Sequence, residues 1–245
     1  MLKRSMILAA ISGVAMVSAA QAAVIVSYTG ASPALTGIAS PVTFSPAAPA
    51  LSNADLLQTN VASVVSTGTF GEDGTAGISV LTDGAFSLNT GVFSKPGISS
   101  AQNGATITWT LNTSVNTNGY EITQITSFGG WGDFERNDQR YSVELSYVGS
   151  PTTFIALSGA TVQSNPGLDT YAIRANITDS GSLPLATGVA GVRIAFANPQ
   201  ENNYTGYGEF DVIGSAVAVP EPVSIGVVGL VTGMAMLRRS RKSVA

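Results

Sequence analysis

Four stretches of this chain alternate apolar and polar residues with a period of two, and that alternation limits the fold more than any other feature. Ile107, Trp109 and Leu111 alternate with Thr106, Thr108 and Thr110; Tyr141, Val143, Leu145 and Tyr147 alternate with Ser142, Glu144 and Ser146. The pattern recurs in Tyr171, Ile173, Ala175 and Ile177, and in Ala190, Val192, Ile194 and Phe196. Successive side chains of a strand point to opposite faces, so each stretch reads as a half-buried strand. Turn residues such as Gly149-Ser150-Pro151 and Asn165-Pro166-Gly167 lie between them. Away from the termini no window keeps a 3.6-residue period, apart from a short turn near Asp55-Leu56-Leu57. Many short strands spaced by turns predict an all-β fold, a two-sheet β-sandwich. The chain has no cysteine, so such a domain must hold together through its core alone, and nearly two hundred residues suffice for one.

Both ends read differently from the middle. Lys3 and Arg4, an apolar stretch from Met6 to Val17, and the small residues Ala20 and Ala22 of an A-x-A cleavage site make residues 1–22 a secretory signal peptide. At the other end, residues 216–222 form a linker carrying Pro220-Glu221-Pro222. An uncharged run over 223–237 follows, then a basic tail over 238–245 containing Arg238 and Arg239. The prolines keep the triplet extended and open to a processing enzyme. The apolar run is expected to enter a bilayer as a single transmembrane helix, slightly shorter than the roughly 20 residues a full span prefers, with the basic tail held in the cytoplasm. Between them, residues 23–215 are expected to form one β-sandwich domain, with an irregular lead-in over 29–53 rich in Ala, Ser and Pro.

This C-terminal pattern of Pro-Glu-Pro, apolar segment and Arg-rich tail resembles the PEP-CTERM sorting signal of Gram-negative, exopolysaccharide-producing bacteria. The resemblance implies an exosortase-type protease as partner, an inner-membrane intermediate, and delivery to the cell surface or extracellular matrix. A permanent single-span anchor with a basic stop-transfer tail is the alternative.

With the ends set aside, Ala23 to Ala218 carries five cations, Lys95, Arg136, Arg140, Arg174 and Arg193, against fourteen acids, a net charge of −9. Such a surface repels nucleic acid and anionic headgroups, and suits neutral glycans, cationic partners or calcium. The absence of histidine and cysteine excludes Ser-His-Asp and Cys-His catalysis and the usual zinc sites. No P-loop or dinucleotide fingerprint occurs. No enzyme activity is expected. The acids Asp133, Glu135 and Asp138 are the one set that suggests a glycosidase pair.

The order Leu81-Thr82-Asp83-Gly84, the strand around Trp109, Tyr141 to Ser146, Val192-Arg193-Ile194 and Gly208 to Gly214 resembles galactose-binding-like domains of the discoidin and coagulation-factor type C kind. The resemblance implies a jelly-roll β-sandwich. It also implies a structural calcium shared by Asp83 and Glu209, with Asn89 and Thr90 on the same loop as further oxygen donors. On the other reading, Asp83-Gly84 is a plain turn and Glu209 faces solvent.

Two loops hold the densest polar and aromatic groups. Trp131, Asp133 and Arg136 stand on the first and Asn203, Tyr204 and Tyr207 on the second. Aromatic rings stack on the C–H faces of a sugar while Asp, Asn and Arg bind its hydroxyls. Glycines around Trp131 would let its ring stand clear of the backbone. Alternatively, Trp131 and Phe134 cap the core and Arg136 pairs with a neighbouring acid. The sequence thus leads to an exported, non-catalytic protein that binds or organises polysaccharide, with a structural or adhesive matrix protein as the alternative.

Overall fold

A computed structural model describes residues 22–32, 41–44, 52–72, 74–88, 96–132, 136–163 and 170–219. The predicted processing triplet, the apolar run and the basic tail lie outside these residues, as does Ala20. Among the described residues no helix is long and apolar enough to cross a membrane.

Ten strands are described: β1 (Val24–Ala31), β2 (Val61–Thr67), β3 (Ser99–Gln102), β4 (Thr106–Leu111), β5 (Tyr120–Gly130), β6 (Tyr141–Tyr147), β7 (Ser150–Val162), β8 (Ala172–Asp179), β9 (Ala186–Phe196) and β10 (Tyr204–Ala216). One short helix, α1 (Leu56–Thr59), starts where the sequence predicts a turn: Asp55 caps it by accepting from the Leu57 N–H.

All strand pairs are antiparallel, and they resolve into two sheets. Sheet A runs β1-β8-β5-β10-β3 and sheet B runs β2-β4-β9-β6-β7. A short ladder at one corner, Tyr120 opposite Val189 and Ile122 opposite Ala186, joins them. From β3 onward the orders β8-β5-β10-β3 and β4-β9-β6-β7 are those of a jelly roll, with β1 and β2 added at the edges.

The predicted alternations fall on β4, β6, β8 and β9, except that Tyr171 precedes β8 and packs outside the inter-sheet core. Ile107, Trp109, Leu111, Tyr141, Val143, Leu145, Val192 and Ile194 from sheet B all point into one core with Ile125, Ala175, Ile177, Phe210 and Val212 from sheet A. Aromatic rings bridge the sheets: Tyr141 and Phe210 lie 5.5 Å apart edge to face, and Trp109 and Phe210 lie 6.0 Å apart. Behind sheet A is a second core, in which Val42, Phe44 and Leu88 cover Phe128, Trp131 and Ala172.

Strand β10 carries a register shift between Tyr207 and Glu209. The bulge changes which faces its residues see. Tyr207, Phe210 and Val212 face the inter-sheet core, whereas Glu209 and Asp211, opposite Phe128 and Thr126, take the outer face of sheet A.

Candidate functional site

The outer face of sheet A buries three acids together. One carboxylate oxygen from each of Asp55, Glu209 and Asp211 lies within 4.8 Å of the others, and each residue is 1% exposed or less. Asp55 is placed by α1: its Oδ1 accepts from the Leu57 N–H at 2.9 Å and from the Val212 N–H at 3.0 Å, so the helix cap is tied to β10. Glu209 is placed by the turn after Leu81, since its Oε2 accepts from the Gly84 N–H at 3.2 Å.

Charge is poorly tolerated here. Burial, then the nearby Asp211, Asp83 and Asp55 carboxyls, push Glu209 up to about 9. Burial and Asp55 push Asp211 up to about 7. Burial also raises Asp55, against the two N–H donors that favour its charged form.

The resemblance placed calcium between Asp83 and Glu209. The structure brings that loop against β10 through Gly84, and Glu209 is fully buried rather than solvent-facing. Asp83 itself has an exposed side chain whose Oδ1 accepts from the Ala85 N–H at 3.0 Å. Asn89 and Thr90 lie outside the described residues.

The residues expected to hold a sugar do not form one surface. Trp131 is only 3% exposed and packs in the second core. Arg136 closes over it: the guanidinium sits 4.9 Å from the indole centroid and pairs with Glu72 at 3.1 Å. The neighbouring glycines serve that packing. A Cβ on Gly206 would stand 2.8 Å from the Trp131 ring, and one on Gly130 would stand 2.8 Å from Leu88 and Ala172. Tyr207 is buried completely, its hydroxyl accepting from the Arg140 N–H at 3.2 Å. Asn203 and Tyr204 stay at the rim, where Asn103 donates to Asn203 Oδ1 at 3.0 Å and Tyr204 pairs with Gln102. Asp133 lies outside the described residues, and Asp138 is held by Arg140 at 3.2 Å.

The sequence did not single out a cleft where the end of β7 meets the segment leaving β9. It encloses about 490 Å³ and is lined by Arg140, Thr161, Val162, Gln163, Asn198 and Pro199. Gln200, the next residue along the chain, donates to the carbonyls of two lining residues, Arg140 at 2.6 Å and Ala197 at 3.1 Å. The Asn198-Pro199 turn after a clear strand was the only sequence signal of it.

No protein-family model matches this chain, and no curated protein matches it. Solved structures do resemble it. The CpGH89CBM32-5 module from Clostridium perfringens, solved with GalNAc-β-1,3-galactose, has 15% identity over 65% of this chain and 99% of its own, with a TM-score of 0.39. The family 32 carbohydrate-binding module of C. perfringens NanJ, solved with galactose, has 9% identity over 65% of this chain and 97% of its own, at 0.42. A pectin-binding carbohydrate-binding module has 14% identity over 65% and 94%, at 0.39. Identities of this size tie none of the side chains above to a sugar contact.

Proposed function

We propose that the chain is an exported, non-catalytic jelly-roll module that binds polysaccharide at the cell surface or in the extracellular matrix of a Gram-negative bacterium. The cleft beside Arg140 carries this reading. Its volume falls within the roughly 300–1,000 Å³ of small-ligand sites. The Arg140 guanidinium and the Gln163 and Asn198 amides offer donors and acceptors for hydroxyls, while Val162 and Pro199 offer apolar contact for C–H faces. The net charge of −9 over Ala23 to Ala218 favours a neutral glycan over a polyanion.

Export rests on the sequence pattern of both ends, with an exosortase-type protease acting at Pro220-Glu221-Pro222. One contact supports the first cleavage: the Ala23 N–H donates to Asp179 Oδ1, and Val24 opens β1 directly after it. Cutting after Ala22 would turn that amide into an ammonium beside a carboxylate.

The test is binding of the exported chain to a polysaccharide panel, with Gln163→Ala and Asn198→Ala as variants. Saturable binding weakened about tenfold or more by either change, in a folded protein, supports the reading. A panel without a binder removes it.

An adhesive reading has one observation in its favour. β2 is an edge strand without a charge, exposing Val64 by 43% and Val65 by 62%. Such an edge is a template for strand addition by a protein partner. Concentration-dependent assembly abolished by Val65→Lys, with no glycan bound, would favour it.

A further inference from the structure

We infer that the Arg140 cleft is one end of a longer binding track, in which the outer face of sheet B carries the same glycan chain onward as far as Phe154. The inference rests on the cleft reading and adds the class of ligand: an internal stretch of a linear, neutral polysaccharide, several sugars long, in place of a single terminal sugar.

The strand register puts cleft and face on one surface. Tyr141, Val143 and Ile194 point into the inter-sheet core, so Ser142, Glu144, Arg193 and Ala195 between and beside them face outward. Two cleft residues prolong these rows: Arg140 precedes Ser142 on the β6 side, and Ala197 follows Ala195 on the β9 side. The Ala197 N–H donates to the Arg140 carbonyl at 2.9 Å, which carries the pairing of β6 with β9 past the strand ends. A third cleft residue, Thr161, stands opposite Ser142. From Arg140 to Glu144 the chain runs about 13 Å at roughly 3.3 Å per residue, further than one sugar ring reaches.

Phe154 gives the far end an aromatic platform. The Arg193 guanidinium lies 3.9 Å from its ring centroid, and the ring tip rests over Gly191, where a Cβ would stand 3.3 Å from Cζ. The guanidinium is itself fixed from both sides, donating through Nε to Thr108 Oγ1 at 3.1 Å and through a terminal N–H to Glu144 Oε2 at 3.2 Å. The ring is therefore ordered before a ligand arrives, and stacking on it costs little conformational entropy. One ring face meets Arg193; the half-buried side chain leaves the other for the C–H face of a sugar. Around it Thr106, Thr108 and Ser142 are half-buried and offer hydroxyls. Arg193 and Glu144, whose side chains are 33% and 27% exposed, cancel each other's charge. In a region with a net charge of −9, a face without net charge suits a neutral polyol chain. The outer face of sheet A, by contrast, is closed by the second core.

The test is calorimetric titration of the exported chain with cello-, xylo- and galacto-oligosaccharides of graded length, with Tm read on each preparation to check the fold. Within the series that binds, affinity is expected to climb roughly tenfold or more from the shortest ligand to the longest. Phe154→Leu keeps apolar bulk without a ring plane; it should abolish the climb and leave the shortest ligand within about twofold, whereas Phe154→Trp should keep the climb. Gln163→Ala should weaken short and long ligands alike. Affinity that ignores length, or a climb that survives Phe154→Leu in a folded chain, overturns the track; if Gln163→Ala still weakens binding there, the cleft reading stands without it. Absence of binding at every length removes cleft and track together.

Discussion

Replacing Trp131 by alanine separates packing from recognition. If the ring is core, the change should unfold the protein sooner; if it is a sugar platform, it should cost affinity alone. The ring is 3% exposed, against Leu88, Ile98, Tyr171 and Ala172, so truncation leaves a cavity where the surrounding strands cannot follow. Core Trp→Ala changes cost about 3–5 kcal/mol. Loss of the Arg136 guanidinium from the ring, 4.9 Å away, adds about 1 kcal/mol and leaves the Glu72 ion pair without its support. For a domain of this size the sum lowers Tm by roughly 10–20 °C and the urea midpoint by roughly 2 M. Trp131→Phe, which refills most of the space, should recover more than half of the loss. The assay is urea unfolding followed by circular dichroism, with glycan binding measured on the same preparations below the transition. An unchanged midpoint accompanied by lost binding would refute the reasoning, for it would mean that the ring faces ligand.

Other expectations follow from buried phenols and from the first residue of the exported chain. Burial pushes the Tyr141 and Tyr207 hydroxyls far above their ordinary range. The unfolded chain gives up these protons near pH 10 while the folded one keeps them, so stability should fall as pH rises past about 10. Tyr141→Phe should flatten that alkaline slope by about 1.4 kcal/mol per pH unit while costing about 1 kcal/mol at neutral pH through the lost Ser127 contact, both read by urea titrations. Mass spectrometry of the secreted protein should give Ala23 as its first residue; a start elsewhere contradicts cleavage after Ala22. The Leu183 N–H, aided by those of Gly181 and Ala23, holds the Asp179 carboxyl below its usual range. Its contribution is complete above the unfolded value and is lost as pH falls through the lower folded one, so Asp179→Asn should narrow the gap in stability between neutral and acid pH.

The sandwich was legible because β4, β6, β8 and β9 each bury one face and wet the other to some degree. β3 is four residues of Ser, Ala and Gln, buried without a hydrophobic pattern, and β7 exposes most of its length as an edge; neither carries a readable period. β10 misleads for a different reason. Its bulge moves Phe210 three places from Tyr207 onto the same core, so counting by twos misassigns Glu209. Burial of that acid comes from segments distant in sequence, α1 and the turn before Gly84, which no local pattern announces. The Gly-Gly-Trp-Gly stretch shows the same limit: glycine beside an aromatic permits a ring to stand out or a neighbour to press in, and the second core decides. The Arg140 cleft is assembled from three chain segments, so only the Asn198-Pro199 turn hinted at it.

The central claim is that this sandwich binds polysaccharide at the Arg140 cleft. The most direct measurement is titration of the exported chain, folded and supplied with calcium, against a polysaccharide panel that includes the matrix of the producing cell. The account predicts saturable binding to a neutral glycan that Gln163→Ala weakens without lowering Tm. A folded, calcium-supplied chain that binds nothing, or one whose binding ignores Gln163 and Asn198, would contradict it.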